Sequence, residues 1–224
     1  MSGHRRAVLG AYRGCGPRAR AHVALRWATA PLPAVVDLLP PTGRILDLGC
    51  GHGLVALLAA QRSPDRSVHA VDVDGAKLAV LRRAATASGL GGRVEVERVG
   101  EGWTPPAGAY DAVVVADVLY LLGRSRAVAL LRQVAEAVRP GGTVVVKEVG
   151  SHPRWKARVN QVQERVAVGV LGITRGATVD VLPEALVERA LAGAGLRVEQ
   201  RRLDHLRFHP HVAFVGHRPP RPAT

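Results

Sequence analysis

Asparagine and methionine each occur once, at Asn160 and Met1. Lysine is confined to Lys77, Lys147 and Lys156, so 28 of the 31 basic residues (31 less three) are arginine. That bias, with abundant Ala, Gly, Val and Pro, is the imprint of GC-rich coding and does not by itself argue a binding surface. Aromatic residues make up 4% of the chain, and none interleave with basic residues as in RNA-stacking surfaces. The net charge of +13 is therefore read as a solvated basic surface, and nucleic acid as a disfavoured partner. Two cysteines, Cys15 and Cys50, provide neither a disulfide framework nor metal-ligand spacing, so no metal is expected. No apolar run approaches the roughly 18 residues that span a bilayer. The opening MSGHRRAVLGAYRGC lacks the apolar core of a signal peptide, and a cytoplasmic location is the default expectation.

What is present fits one α/β domain. The chain has 224 residues, 47% of them hydrophobic, a size that can bury roughly 70% of its unfolded surface. Residues 1–40 read as an N-terminal helical cap. Pro17 can start a helix with Val23 and Trp27 on one face, and a short helix, PAVVDLLP, stops at Pro40–Pro41. The main domain is read over residues 41–218. Strands RILDLG, SVHAVDV, VEVERV, AVVVADV and TVVVKEV alternate there with amphipathic helical patterns. Val-rich strands joined by such helices predict a doubly wound, mostly parallel sheet with helices on both faces. Near the end, RVEQRRLDH and HVAFVGH are separated only by LRFHP. That link is too short for a parallel crossover, so the last pair is antiparallel. Residues 151–182 exceed an ordinary strand-to-helix connection and read as a lid-like insertion. Residues 219–224 read as a frayed tail.

The strongest chemical signal is Asp47–Leu48–Gly49–Cys50–Gly51–His52–Gly53, a strand end opening into a helix. Such loops let a ligand lie against the main chain, at the carboxyl edge where ligands of open α/β sheets bind. A dinucleotide fingerprint requires G-x-G-x-x-G. Here the glycines fall at 49, 51 and 53, and Leu54 takes the last required place, which excludes a nicotinamide dehydrogenase. Asp47 suits an ammonium group. Asp72, ending the second strand, can accept from both hydroxyls of a ribose, and the Gly100–Glu101 turn could receive an adenine amino group.

Residues 44–147 resemble the class I S-adenosylmethionine (SAM)-dependent methyltransferase family. The resemblance rests on the D-x-G-x-G-x-G loop, the acidic end of the second strand, YDAVVVADVLYLL and RPGGTVVVKEV. It implies a seven-stranded sheet with the last strand antiparallel, SAM as cofactor and S-adenosylhomocysteine (SAH) as product. It also implies that Asp47, Gly49, Cys50, Gly51 and Gly53 border the methionine part, that Asp72 holds the ribose and that Val73 packs on adenine. Gly100 and Glu101 would lie near the base, although the family more often has Asp where Glu101 stands. Asp117, ending the fourth strand, would lie near the methyl group.

Methyl transfer needs alignment and exclusion of water, plus a base if the acceptor is a hydroxyl. Asp117, His152 and His209 are the candidate catalytic residues, since histidine titrates near neutrality. Tyr12, Tyr120, Glu148, Trp155, His205 and His211 are the candidate substrate contacts. The reading favours a small organic acceptor methylated at oxygen: a hydroxy, phenolic or carboxyl metabolite, natural-product or lipid-like. An RNA methyltransferase and a non-catalytic SAM-binding protein are the alternatives. Against RNA, Ala116–Asp117–Val118–Leu119 stands where base-N methylating families often carry N-P-P-[YF]. Of three readings of the 151–182 insertion, membrane contact ranks below a core-facing helix and a lid, because its stripe lacks a strong aromatic face. The oligomeric state is not read from the sequence.

Overall fold

The computed structural model describes residues 2–149, 182–203 and 210–221. The proposed lid at 151–182 lies outside these residues except for Leu182, and with it lie His152 and Trp155. His205 and His209 lie outside them as well.

Seven strands form one sheet in the order β3-β2-β1-β4-β5-β7-β6. They are β1 (Gly43–Leu48), β2 (Arg66–Asp72), β3 (Val94–Arg98), β4 (Tyr110–Ala116), β5 (Val138–Val149), β6 (Arg197–Arg202) and β7 (His211–His217). The first five pair in parallel, and β7 runs antiparallel to both β5 and β6. The sequence-based topology is thus realised. One boundary differs: β5 begins at Val138, five residues before the TVVVKEV core. Its first pairing, Tyr110 with Val138, precedes a register shift at Pro140–Gly141–Gly142.

Alternation along the strands builds two cores. Ile45, Val68, Ala70, Ala112, Val114 and Val145 face one side. There they meet α4 (Leu54–Arg62), α5 (Gly75–Ala87) and the N-terminal helices. Leu46, Val71, Val113, Val115, Val144 and Val146 face the other, under α6 (Arg124–Ala137) and α7 (Glu184–Gly193). Seven consecutive residues of α4, Leu54 to Ala60, are buried, because this helix lies between the sheet on one side and α1 and α3 on the other.

The N-terminal cap has three helices: α1 (Ser2–Ala11), α2 (Pro17–Thr29) and α3 (Leu32–Asp37). Pro17 sits in the first turn of α2, and Val23 and Trp27 are its buried residues, as their spacing predicts. The helix α1 is not legible in the sequence as a separate element. Only its Val8, Ala11 and neighbouring Tyr12 are fully buried, too few to set a 3.6-residue stripe. It packs on α4 and α5, so its stability comes from the domain beneath it.

Candidate active site

The parallel strands end at one edge, and β7 starts there, since His211 pairs with Val149. The loop after β1 turns through Gly49 (φ +75°), Gly51 (φ +54°) and Gly53 (φ +79°). The three glycines serve different ends. A Cβ on Gly49 would stand 2.5 Å from a Val118 methyl, and one on Gly53 would stand 2.1 Å from Leu81. Those two allow close packing. A Cβ on Gly51 would meet nothing within 4 Å, so this main chain borders open space at the strand ends.

Asp72 holds that loop in place. Its Oδ2 accepts from the Gly51 N–H at 2.7 Å and its Oδ1 from the Asp74 N–H at 2.9 Å. Asp74 in turn caps α5 by accepting from Ala76 and Lys77. Each Asp72 oxygen keeps acceptor capacity for a ribose hydroxyl. Val73, the next residue, is a large apolar side chain left 51% exposed, as an adenine-packing residue would be before its ligand arrives. Asp47 is buried, and its Oδ2 has no hydrogen-bond partner. Burial, with a smaller contribution from the nearby Asp72 charge, pushes its carboxyl up to about 7. A buried carboxylate with one oxygen unpartnered beside an open glycine is suited to an ammonium group. The residues present therefore fit SAM. Cys50 is half-buried in the same loop and burial raises its thiol, so it is a packing group rather than a nucleophile. Gly100 and Glu101 stand exposed beyond β3, where Glu101 pairs with Arg126 at 3.7 Å.

Tyr12, expected at the substrate, is instead buried, and its hydroxyl donates to the His52 carbonyl of the glycine loop at 2.7 Å. It braces the loop from α1. His52 also lies against His22 of α2, with ring centroids 4.6 Å apart and the planes tilted by 38°.

The end of β4 holds a buried ionic cluster. Asp117 has φ +59°, a left-handed conformation unusual for a non-glycine. The turn brings its carboxylate between Lys147, whose Nζ donates at 2.5 Å, and Arg26 of α2. These two cations outweigh burial and hold the Asp117 carboxyl far below its usual range. Lys147 is 1% exposed, and burial pulls its ammonium down. Beside it Glu148 is buried, and its Oε1 accepts from the Val118 and Leu119 N–H groups at 3.2 and 3.0 Å. It thereby anchors the 3₁₀ turn Leu119–Leu121 that carries Tyr120. Burial, reinforced by Asp117, raises Glu148 to about 8. His211 is buried, with Nε2 2.9 Å from the Thr29 carbonyl at the end of α2, and burial lowers it to about 4.

Asp117, Tyr120, Glu148 and His211 thus converge on one edge with the loop at 47–53. Arg26 and Lys147 were not singled out from the sequence. The one available hint, a lysine within the apolar run TVVVKEV, calls for a counter-charge without naming it. Among the described residues no group of His, Cys, Asp and Glu could hold a metal ion. No described helix is long and apolar enough to cross a membrane.

Residues 45–142 match the family described as Methyltransferase domain. The chain is similar to a ribosomal RNA small subunit methyltransferase G of Ruegeria sp. (strain TM1040), with 33% identity over 57% of this chain and 64% of that protein. It is likewise similar to a demethylmenaquinone methyltransferase of Thermus thermophilus, with 33% identity over 58% of this chain and 57% of that one. It spans about three-fifths of the length of these curated relatives. A solved O-methyltransferase family protein from Burkholderia thailandensis shares the fold, with a TM-score of 0.71 at 21% identity, over 91% of this chain and 59% of that one. The matched segment contains the glycine loop, Asp72 and Asp117, and its geometry suits the cofactor independently of the match. Residues 45–142 therefore match a methyltransferase domain, and the sheet is the one found in a solved O-methyltransferase family protein.

Proposed function

We propose that this protein transfers a methyl group from SAM to an oxygen of a small organic acceptor, a hydroxy, phenolic or carboxyl metabolite of natural-product or lipid-like character. The observation that carries this reading is the pinning of α2 across the strand ends. Arg26 reaches Asp117, and the Thr29 carbonyl bonds His211. A helix fastened to β4 and β7 at the methyl-proximal edge narrows the approach, which suits a small acceptor better than a folded RNA.

When bound, SAM supplies an electrophilic methyl on a good leaving group, so the protein's task is alignment and exclusion of water. In this reading Asp47 and the Gly51 main chain hold the methionine part, and Asp72 and Val73 hold the nucleoside. The Arg26–Asp117–Lys147 cluster fixes the edge against which the acceptor lies, and Tyr120 stands on the turn beside it. His211, neutral at physiological pH, is committed to α2 through Nε2. The proton acceptor for a hydroxyl substrate is assigned, on sequence grounds, to His152 or His209.

The similarity to a ribosomal RNA methyltransferase supports RNA as the second reading. One assay separates them: methyl transfer from labelled SAM to phenols, hydroxy acids, carboxylic acids and lipids, run beside ribosomal RNA. A methyl ether or ester on a small molecule is the expected product. Label in RNA alone would overturn the proposal.

A further inference from the structure

The first acidic residue of the chain is Asp37, and six arginines precede it. Arg26 is engaged by Asp117. The other five, Arg5, Arg6, Arg13, Arg18 and Arg20, are all exposed, and none forms an ion pair among the described residues. Pairing of α1 with α2 gathers four of them, Arg5, Arg6, Arg13 and Arg20, around a groove of about 850 Å³. Five like charges held on two short helices and the turn between them repel one another at a cost to the fold, which a surface of opposite charge would relieve.

We propose that the α1–α2 face docks on an anionic lipid surface. Guanidinium groups match phosphate in bidentate geometry, so both RNA and phospholipid headgroups are chemically eligible. The aromatic residues of this pair decide between them. Tyr12 and Trp27 are 1% and 8% exposed, so neither large aromatic ring of this pair is open for bases to stack on. What α2 does expose is Leu25, at 51%, an apolar side chain on the helix face of Arg18 two turns earlier, able to enter the headgroup region beside that arginine. Leu25 neighbours Arg26, which reaches the methyl-proximal edge. There Leu121, four residues beyond Asp117, is also an exposed apolar residue. The charged face and the active-site edge thus share one helix, and a docked domain would present that edge towards the membrane. The inference goes beyond the proposed reaction and does not depend on it, since docking is read without methyl transfer.

The test is co-sedimentation of the full chain with phosphatidylcholine vesicles and with vesicles of phosphatidylcholine plus phosphatidylglycerol. Binding is expected only to the mixed vesicles and is lost at high salt. An arginine near such a surface is worth about fivefold in partition. Neutralising four in R5Q/R6Q/R13Q/R20Q should therefore lower it several hundredfold, with SAH affinity unchanged. Removing the exposed arginines of α6 in R124Q/R126Q/R132Q should have little effect. Equal binding to neutral vesicles, no binding to either, or equal loss in the α6 variant would overturn the proposal. So would arginine-dependent binding of an RNA oligonucleotide without vesicle binding.

Discussion

Asp47 and Asp72 show how two carboxylates a few ångströms from one loop acquire different tasks. Asp72 is met by two main-chain N–H groups, whereas Asp47 is buried with one oxygen unpartnered and its carboxyl raised to about 7. An ammonium ligand stabilises the ionised form of Asp47, so cofactor binding at pH below about 7 must release a proton. SAH affinity, followed by calorimetry, should fall as pH drops from 8 to 5, with the heat depending on buffer ionisation. Asp47→Asn should flatten that profile, and an unchanged profile in the variant would assign the titration elsewhere. Asp72→Ala should weaken SAH binding by about 1–3 kcal/mol, through loss of both the ribose acceptor and the loop anchor.

At the level of elements, α1 and α2 act as struts on the site. Tyr12 braces the glycine loop from α1, and Arg26 ties α2 to the end of β4. Tyr12→Phe removes one hydrogen bond, at a cost of about 0.5–1.5 kcal/mol in stability. Its informative readout is weaker SAH binding with the active-site edge unaltered. Asp117→Ala is more severe. It leaves Lys147 as an uncompensated charge at 1% exposure, and loss of one partner from a buried pair costs about 3–5 kcal/mol. Thermal denaturation should show a large fall in Tm. A double variant, Asp117→Ala with Lys147→Met, should recover much of it, because no buried charge is then left alone. If the double variant were no more stable than the single one, the ion pair would not be what holds this edge.

The whole molecule sums opposing titrations. Asp47 and Glu148 are raised to about 7 and about 8. Each therefore contributes stability that is present at low pH and lost as pH rises through those values. His22 and His211 are both lowered to about 4. The unfolded chain binds their protons first, so their contribution is lost as pH falls from about 6.5 towards 4. From about pH 4 to 6.5 the two effects oppose one another. Above pH 6.5 only the carboxyl contribution remains, and the Tm of the ligand-free protein should decline towards pH 8.5. Glu148→Gln should reduce that decline, and saturating SAH should remove the share belonging to Asp47.

The same scale separates what was legible in the sequence from what was not. Strand periodicity, the 49/51/53 glycine spacing and the five-residue link before HVAFVGH are local patterns. They sufficed for the sheet topology, for the cofactor loop and for the placement of Asp72 and Asp117 at strand ends. Contacts between residues far apart in the chain carry no local pattern. The pairing of Arg26 with Asp117 spans 91 residues, and that of His211 with Thr29 spans 182. Tyr12 shows the same limit: the family resemblance pointed it to substrate, while packing of α1 on α4 accompanies a hydroxyl turned to the loop. The sequence by itself determined that a SAM-type loop ends a parallel strand, because backbone conformation and hydrophobic periodicity are encoded residue by residue. Only the tertiary structure decided which charges meet, which arginines of α1 and α2 have no counter-charge among the described residues, and that Asp47 is left with an unpartnered oxygen. Burial and long-range electrostatics exist only once the helices are packed on the sheet.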